Sequence, residues 1–235
     1  MTAGAKEKTM LKVTTPLFAA AIMVLVPLPA YAAEQMLDFT QGNFCNGGKL
    51  CTNNAAIDQN YGSTAEVTVT YGSFYDNYPN GGMYYYERGF GDLVGNIYGN
   101  KGSVDFRTTS RIVLSAKAGF EIALRSFDLG CFANISNCQA ASYNVLPGGG
   151  GYVSGGVDTG YPTHKTVSFN AGYGNVSVIS FGYGENVGID NIRWDVRTIE
   201  SAVPEPATWA MMVLGFGIVG ATMRRRSPAL RMQQL

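Results

Sequence analysis

Histidine and charge are scarce in this sequence. His164 is the only histidine, which excludes multi-histidine metal centres and H-E-x-x-H hydrolases; a hydrolytic triad built on it needs a serine and a carboxylate delivered by the fold. No G-x-S-x-G elbow is present, and His164, between Pro162 and Lys165, reads as an ordinary surface residue of a loop. Charged residues make up only 14% of the chain, with 17 of each sign. That balance conceals a split: Lys6, Lys8, Lys12 and Arg224–Arg226 hold positive charge at the ends and leave the middle mildly acidic. Without a basic cluster the middle cannot displace counterions from phosphate, so no nucleic acid is expected as a partner. Gly148–Gly151 has no lysine and helix after it, which excludes a phosphate-cradling loop. Sustained helical spacing is also missing from the interior.

Long apolar runs occur only at the ends. Residues 1–32 combine the three leading lysines, an apolar run from Val13 to Leu28 and the A-x-A sequence Ala30-Tyr31-Ala32. That is the pattern of a signal peptide, and signal peptidase is expected to leave a mature chain beginning near Ala33 or Glu34. At the other end, Ala207 to Met223 carries no charge and stops at Arg224-Arg225-Arg226. At about 1.5 Å per residue it reaches about 25 Å, the short limit for a hydrocarbon core of about 30 Å. A single membrane helix is expected there. The arginines keep residues 227–235 in the cytoplasm and everything before Pro204 outside.

The order of residues in this tail is informative. Pro204-Glu205-Pro206 is followed by Trp209-Ala210-Met211-Met212, Leu214-Gly215-Phe216-Gly217 and the arginine cluster, so residues 203–226 resemble the PEP-CTERM sorting signal of Gram-negative bacteria. Tails of this kind also go by the name of an ice-binding-protein C-terminal domain. The resemblance implies cutting near the triplet by exosortase, a membrane peptidase. It also implies transient anchoring, final residence at the cell surface or in the extracellular matrix, and association with exopolysaccharide and biofilm. Two prolines separated by one residue bias the triplet toward an extended form that a peptidase can grip.

Between the ends, residues 33–202 form one domain long enough to bury a core. The chain is rich in glycine (30) and tyrosine (14), a composition of extended strands joined by glycine turns. Glu66 to Tyr71 alternates strictly and sends Val67, Val69 and Tyr71 to one face. Further strands are expected at 111–115, 120–129, 166–170, 176–183 and 189–196. Turn signals at Pro79-Asn80-Gly81-Gly82, Asn100-Lys101-Gly102 and Lys117-Ala118-Gly119 separate them. The expected fold is all-β: a two-sheet antiparallel β-sandwich of jelly-roll type, flanked by the signal helix and the C-terminal membrane helix. Ile122 to Gly130, Ser142-Tyr143-Asn144-Val145 and Gly188 to Ile192 are similar to strands of jelly-roll domains in secreted sugar-binding proteins, which implies that fold and sugar binding.

Three groups of side chains carry candidate chemistry. Cys45 and Cys51 lie six apart, Cys131 and Cys138 seven apart. Export to an oxidising compartment and proximity favour two local disulfides over zinc. Tyr84 and Tyr86 share one strand face opposite Tyr85, so at least one ring reaches the surface, either to stack on a sugar or to fill the rim of the sandwich. Asp190 shares parity with the apolar Ile192, Trp194 and Val196 and is expected inward, where a bare carboxylate needs a partner. That partner is either Ca²⁺, with Asp38 as a second ligand, or a backbone group capped by the side chain. No other cofactor is expected. The sequence reads as a non-enzymatic surface protein contacting exopolysaccharide; the rivals are a structural surface protein without a ligand and a secreted glycan-cleaving enzyme using two facing carboxylates.

Overall fold

The computed structural model describes residues 33–40, 42–103, 105, 107–132, 141–157, 162–182, 184–199 and 206–225. The signal segment 1–32, the pair Pro204-Glu205, Arg226 and the tail 227–235 lie outside them.

Among the described residues twelve strands fold within the unit Ala30–Ser201. They are β1 (Ala33–Leu37), β2 (Val67–Tyr75), β3 (Tyr78–Pro79), β4 (Met83–Arg88), β5 (Val94–Gly99), β6 (Thr108–Ala116), β7 (Phe120–Cys131), β8 (Ala141–Pro147), β9 (Val153–Val157), β10 (Lys165–Ser168), β11 (Val176–Phe181) and β12 (Val187–Thr198). A 3-10 turn, Gly184–Asn186, leads into β12. Two six-stranded sheets result, with orders β10-β7-β12-β5-β4 and β3-β2-β6-β11-β8-β9; β1 pairs with β12 in the first. The strand pairings are antiparallel.

Alternation fixes which faces meet. Val67, Val69 and Tyr71 of β2 are buried and join Ile112 and Leu114 of β6 and Ile179 of β11 in one core. The other sheet supplies Tyr85, Ile97, Leu124, Phe127, Ile189 and Trp194 to the same core. Each sheet therefore gives one face to a shared interior, which is a β-sandwich. Burying a side chain the size of Phe127 or Leu124 contributes about 1.5–3 kcal/mol, so the facing rows are the main stabilising feature of the unit.

One irregularity matters for function. In β12 the register against β7 shifts between Asp190 and Arg193, and Asn191 adopts φ 50°, a left-handed conformation that asparagine tolerates. Ile189 before this bulge and Ile192 after it both enter the core. The even-position parity expected for Asp190 is thus broken. Asp190 lies opposite Asp128, between the core residues Phe127 and Leu129, and the two carboxylates take the sheet's other face.

Helix α1 (Pro206–Arg225) lies outside the sandwich unit and is described by itself. Proline at its first position suits a helix start, where the missing N–H has no intrahelical acceptor. Its described side chains are exposed all round, Phe216 at 74%. No helix among the described residues is long and apolar enough to cross a membrane, which corrects the expected membrane span at 207–223. The helix forms where expected, but Gly215, Gly217 and Gly220 add no apolar side chain and Arg224 closes a run of marginal length.

Candidate functional site

On the outer face of the β4–β5 pair a second apolar cluster stands apart from the core. Met83 and Tyr85 point inward, so alternation sends Tyr84 and Tyr86 outward. Tyr84 pairs with Tyr98 and Tyr86 with Asn96 across the strands. Outer faces of sandwiches are ordinarily polar; here Phe90, Leu93 and Tyr98 are buried, with Tyr84, Tyr86 and Phe132 half-buried against them. Phe90 arrives from the β4–β5 loop, which folds back over the sheet, with Gly91 N–H donating to the Cys131 carbonyl at 2.8 Å. Two close approaches allow this. A Cβ on Gly130 would stand 2.2 Å from the Phe90 carbonyl oxygen, and one on Gly188 would stand 2.4 Å from Asn96 Oδ1 and 2.8 Å from the Phe90 ring.

The rings frame a cavity of about 150 Å³ lined by Asn54, Tyr86, Phe90, Tyr98, Phe132 and Glu185. Tyr86 stands nearly perpendicular to Phe90, Tyr98 and Phe132, at 80°, 80° and 83°. Phe90 and Tyr98 are close to parallel, 5.5 Å between centroids. The Tyr98 hydroxyl donates to Asn54 Oδ1. Burial first, then the Glu185 carboxylate and the neighbouring tyrosines, push the Tyr98 phenol well above its ordinary range, so it stays protonated.

Backbone supports hold each wall. Asn54 has φ 68° and donates its N–H to the Tyr85 carbonyl at 2.8 Å, while Tyr85 N–H donates to Ala55. The segment carrying it follows the Cys45–Cys51 disulfide. Cys131, next to Phe132, is also disulfide-bonded; its expected partner Cys138 lies outside the described residues. Glu185 belongs to the 3-10 turn, where Gly102 N–H donates to its Oε2 at 2.7 Å and Phe132 N–H donates to the adjacent Asn186 carbonyl at 3.0 Å.

The remaining sequence candidates lie elsewhere. Asp190 is 3% exposed and accepts Phe39 N–H at 3.0 Å. Burial, reinforced by Asp38 and Asp128, pushes its carboxyl up to about 7 against the pull of the backbone hydrogen bonds. Asp38 accepts from the Thr40 N–H at 2.7 Å and from the Thr40 hydroxyl. Both carboxylates thus serve backbone, and among the described residues no group of three acidic, histidine or cysteine side chains forms a metal cage. His164 Nδ1 lies 2.6 Å from Asp92 Oδ1 and Nε2 lies 3.9 Å from Asp128 Oδ2. The ring holds the Asp92 carboxyl below its ordinary value by hydrogen bonding. The Thr166 hydroxyl donates to Asp128 at 2.6 Å. A larger depression of about 380 Å³ borders Asp38 and Tyr61. There the Tyr61 ring is already stacked on Phe44, centroids 4.1 Å apart, and its hydroxyl donates to the Asp38 carbonyl, which leaves little free recognition surface.

Residues 202–226 match the PEP-CTERM protein-sorting motif. The chain carries a PEP-CTERM sorting signal. That motif implies export, cell-surface sorting and processing by exosortase, a membrane protease, so the β-sandwich is the ectodomain of an exported surface protein. No curated protein matches the chain. Among solved structures it is similar to "Family 11 Carbohydrate-Binding Module from Clostridium thermocellum in complex with beta-1,3-1,4-mixed-linked tetrasaccharide", at 12% identity over 73% of this chain and 95% of that one, with a TM-score of 0.27. A score this low carries no argument about fold or ligand.

Of the sequence candidates, Tyr84 and Tyr86 belong to the aromatic cluster. Asp38 precedes Phe39 in the chain and Asp190 accepts the Phe39 N–H; neither lines the pocket. Trp209, 56% exposed, and Arg224 lie on α1. Asn54, Phe90, Tyr98, Phe132 and Glu185 were not expected from the sequence. The alternation of Ile97 and Tyr98 was the only local signal for any of them.

Proposed function

We propose that the exported sandwich is a non-catalytic module that holds a surface or matrix polysaccharide through the Tyr86–Phe90–Tyr98–Phe132 pocket. The observation that carries this reading is an aromatic cavity, edged by one carboxylate and one amide, on a sheet face that ordinary packing would leave polar. Apolar ring faces suit the C–H faces and projecting groups of sugars, while Asn54 and Glu185 offer hydrogen bonds at the edge. The PEP-CTERM tail delivers the module to the surface, exosortase removes it, and the freed sandwich stays with the exopolysaccharide. Calcium at Asp190 and Asp38 has no part in this binding.

Co-sedimentation of the full-length protein with the host's own exopolysaccharide tests it. Wild type is expected in the pellet with or without a calcium chelator, and Tyr86→Ala and Phe132→Ala in the supernatant. Equal pelleting of wild type and both variants would contradict the pocket's role. A second reading, a structural surface protein without a ligand, draws on the half-burial of Tyr84 and Tyr86 by their neighbours; it predicts that wild type itself stays in the supernatant.

A further inference from the structure

We infer that this pocket selects a protonated amine, so that its ligand class is a polysaccharide carrying free amino sugars. The inference rests on the carbohydrate reading of the same pocket and narrows it. Tyr86 stands near right angles to Phe90, Tyr98 and Phe132, while Phe90 and Tyr98 lie close to parallel, and all four rings line one small space, where the negative face of an aromatic quadrupole attracts a cation. Among the described residues the only charged one lining the cavity is Glu185, whose carboxylate is fixed in place by Gly102 N–H. The Tyr98 hydroxyl already donates to Asn54, so its proton is engaged within the pocket wall. A volume of about 150 Å³ admits a substituent of a few heavy atoms and leaves the pyranose ring outside, against Tyr86 and Phe132.

Other rings of the molecule already hold a cation of their own. Arg111 lies over Phe74 at 4.2 Å, Arg107 over Tyr75 at 4.5 Å and Arg197 over Tyr173 at 4.0 Å. Among the described residues no arginine or lysine lies over Tyr86, Phe90, Tyr98 or Phe132. Lys101 stops at the margin, 5.4 Å above Tyr84, where its charge opposes that of an entering amine. Among the described residues the pocket is thus an aromatic and acidic enclosure with no cation over its rings, in a domain whose net charge is mildly acidic. An N-acetylated sugar places a neutral amide there and forgoes both the ring and the carboxylate attraction.

Calorimetric titration of the full-length protein with three oligosaccharides of equal length decides it: a glucosamine oligomer, its N-acetylated counterpart and a neutral glucose oligomer. At pH 6 the glucosamine oligomer is expected to bind about tenfold more tightly than the other two. Glu185→Gln should remove that preference and leave the weaker affinities unchanged. Glu121→Gln, an equal loss of charge outside the pocket, should do neither, and Lys101→Ala should strengthen binding of the glucosamine oligomer only. Equal affinities for the amino and N-acetylated oligomers, or a preference that survives Glu185→Gln, would overturn the amine selection while leaving the polysaccharide reading intact. Failure of all three oligomers, together with failure of co-sedimentation, would overturn both.

Discussion

Phe74 and Tyr75, at the end of β2, lie beneath the guanidinium groups of Arg111 and Arg107, whereas Tyr86, Phe90, Tyr98 and Phe132 on the other sheet pack on one another around open space. Both sets are aromatic and both lie outside the shared core. The difference is in what satisfies the ring faces. An arginine stacked on a ring covers its apolar surface and neutralises its quadrupole from within the protein, which completes a structural feature. Rings that meet around a cavity leave faces for something else to cover. Exposure alone would not have separated the two sets; the partners do.

The comparison is broken most severely by substitutions that leave no folded protein to compare. Phe127→Ala, in the core beneath the sheet, is expected to cost about 3–5 kcal/mol in denaturant unfolding and to lose polysaccharide binding with the fold. Phe132→Ala, at the pocket, should cost far less stability and still lose binding. Matching losses of stability would show that the outer cluster is merely a second core.

Asp190 gives the next effect. Its carboxyl is raised to about 7, above the unfolded value near 3.9, so the folded state binds the extra proton between those two pH values. Its stabilising contribution is therefore full below pH 4 and lost as pH rises through 7. Asp190→Asn keeps an acceptor for Phe39 N–H and should raise stability at pH 8 relative to pH 5 by on the order of 3 kcal/mol compared with wild type. Pocket binding should be unchanged. A parallel pH profile for the two proteins would contradict the burial argument.

Smaller effects sharpen the comparison further. Gly188→Ala places a methyl against Asn96 and the Phe90 ring and is expected to cost about 2 kcal/mol. It should also shift Phe90 and weaken binding, whereas Gly150→Ala, where a Cβ meets nothing within 4 Å, should affect neither packing nor binding. Breaking the Cys45–Cys51 loop with a double serine variant should cost about 2 kcal/mol and loosen Asn54. Arg197→Ala, which removes the exposed pair with Glu121 and the cover over Tyr173, should cost at most about 1 kcal/mol and leave the pocket untouched.

Much of the architecture was legible in the chain because it rests on period-two alternation. Val67, Val69 and Tyr71 share a buried face as the pattern requires, and the expected strands at 120–129 and 189–196 lie within β7 and β12. The tail was legible because its motif is contiguous. Asp190 shows the limit: its burial was anticipated, but one left-handed residue at Asn191 shifts the parity that led there. The pocket was largely illegible. Tyr84 and Tyr86 were visible as a pair, yet Tyr98 joins them through hairpin register and Phe90 through a loop that closes over Gly130 and Gly188. Phe132, Asn54 and Glu185 come from three further segments, each held by backbone bonds that no local pattern announces.

The most direct measurement labels the aromatic carbons of Phe and Tyr in the full-length protein and records their NMR signals as the host exopolysaccharide is added. The account predicts shifts at Tyr86, Phe90, Tyr98 and Phe132, with Phe74, Tyr75 and Tyr173 unmoved beneath their arginines. Shifts confined to the arginine-covered rings, or none at all at the pocket, would contradict it.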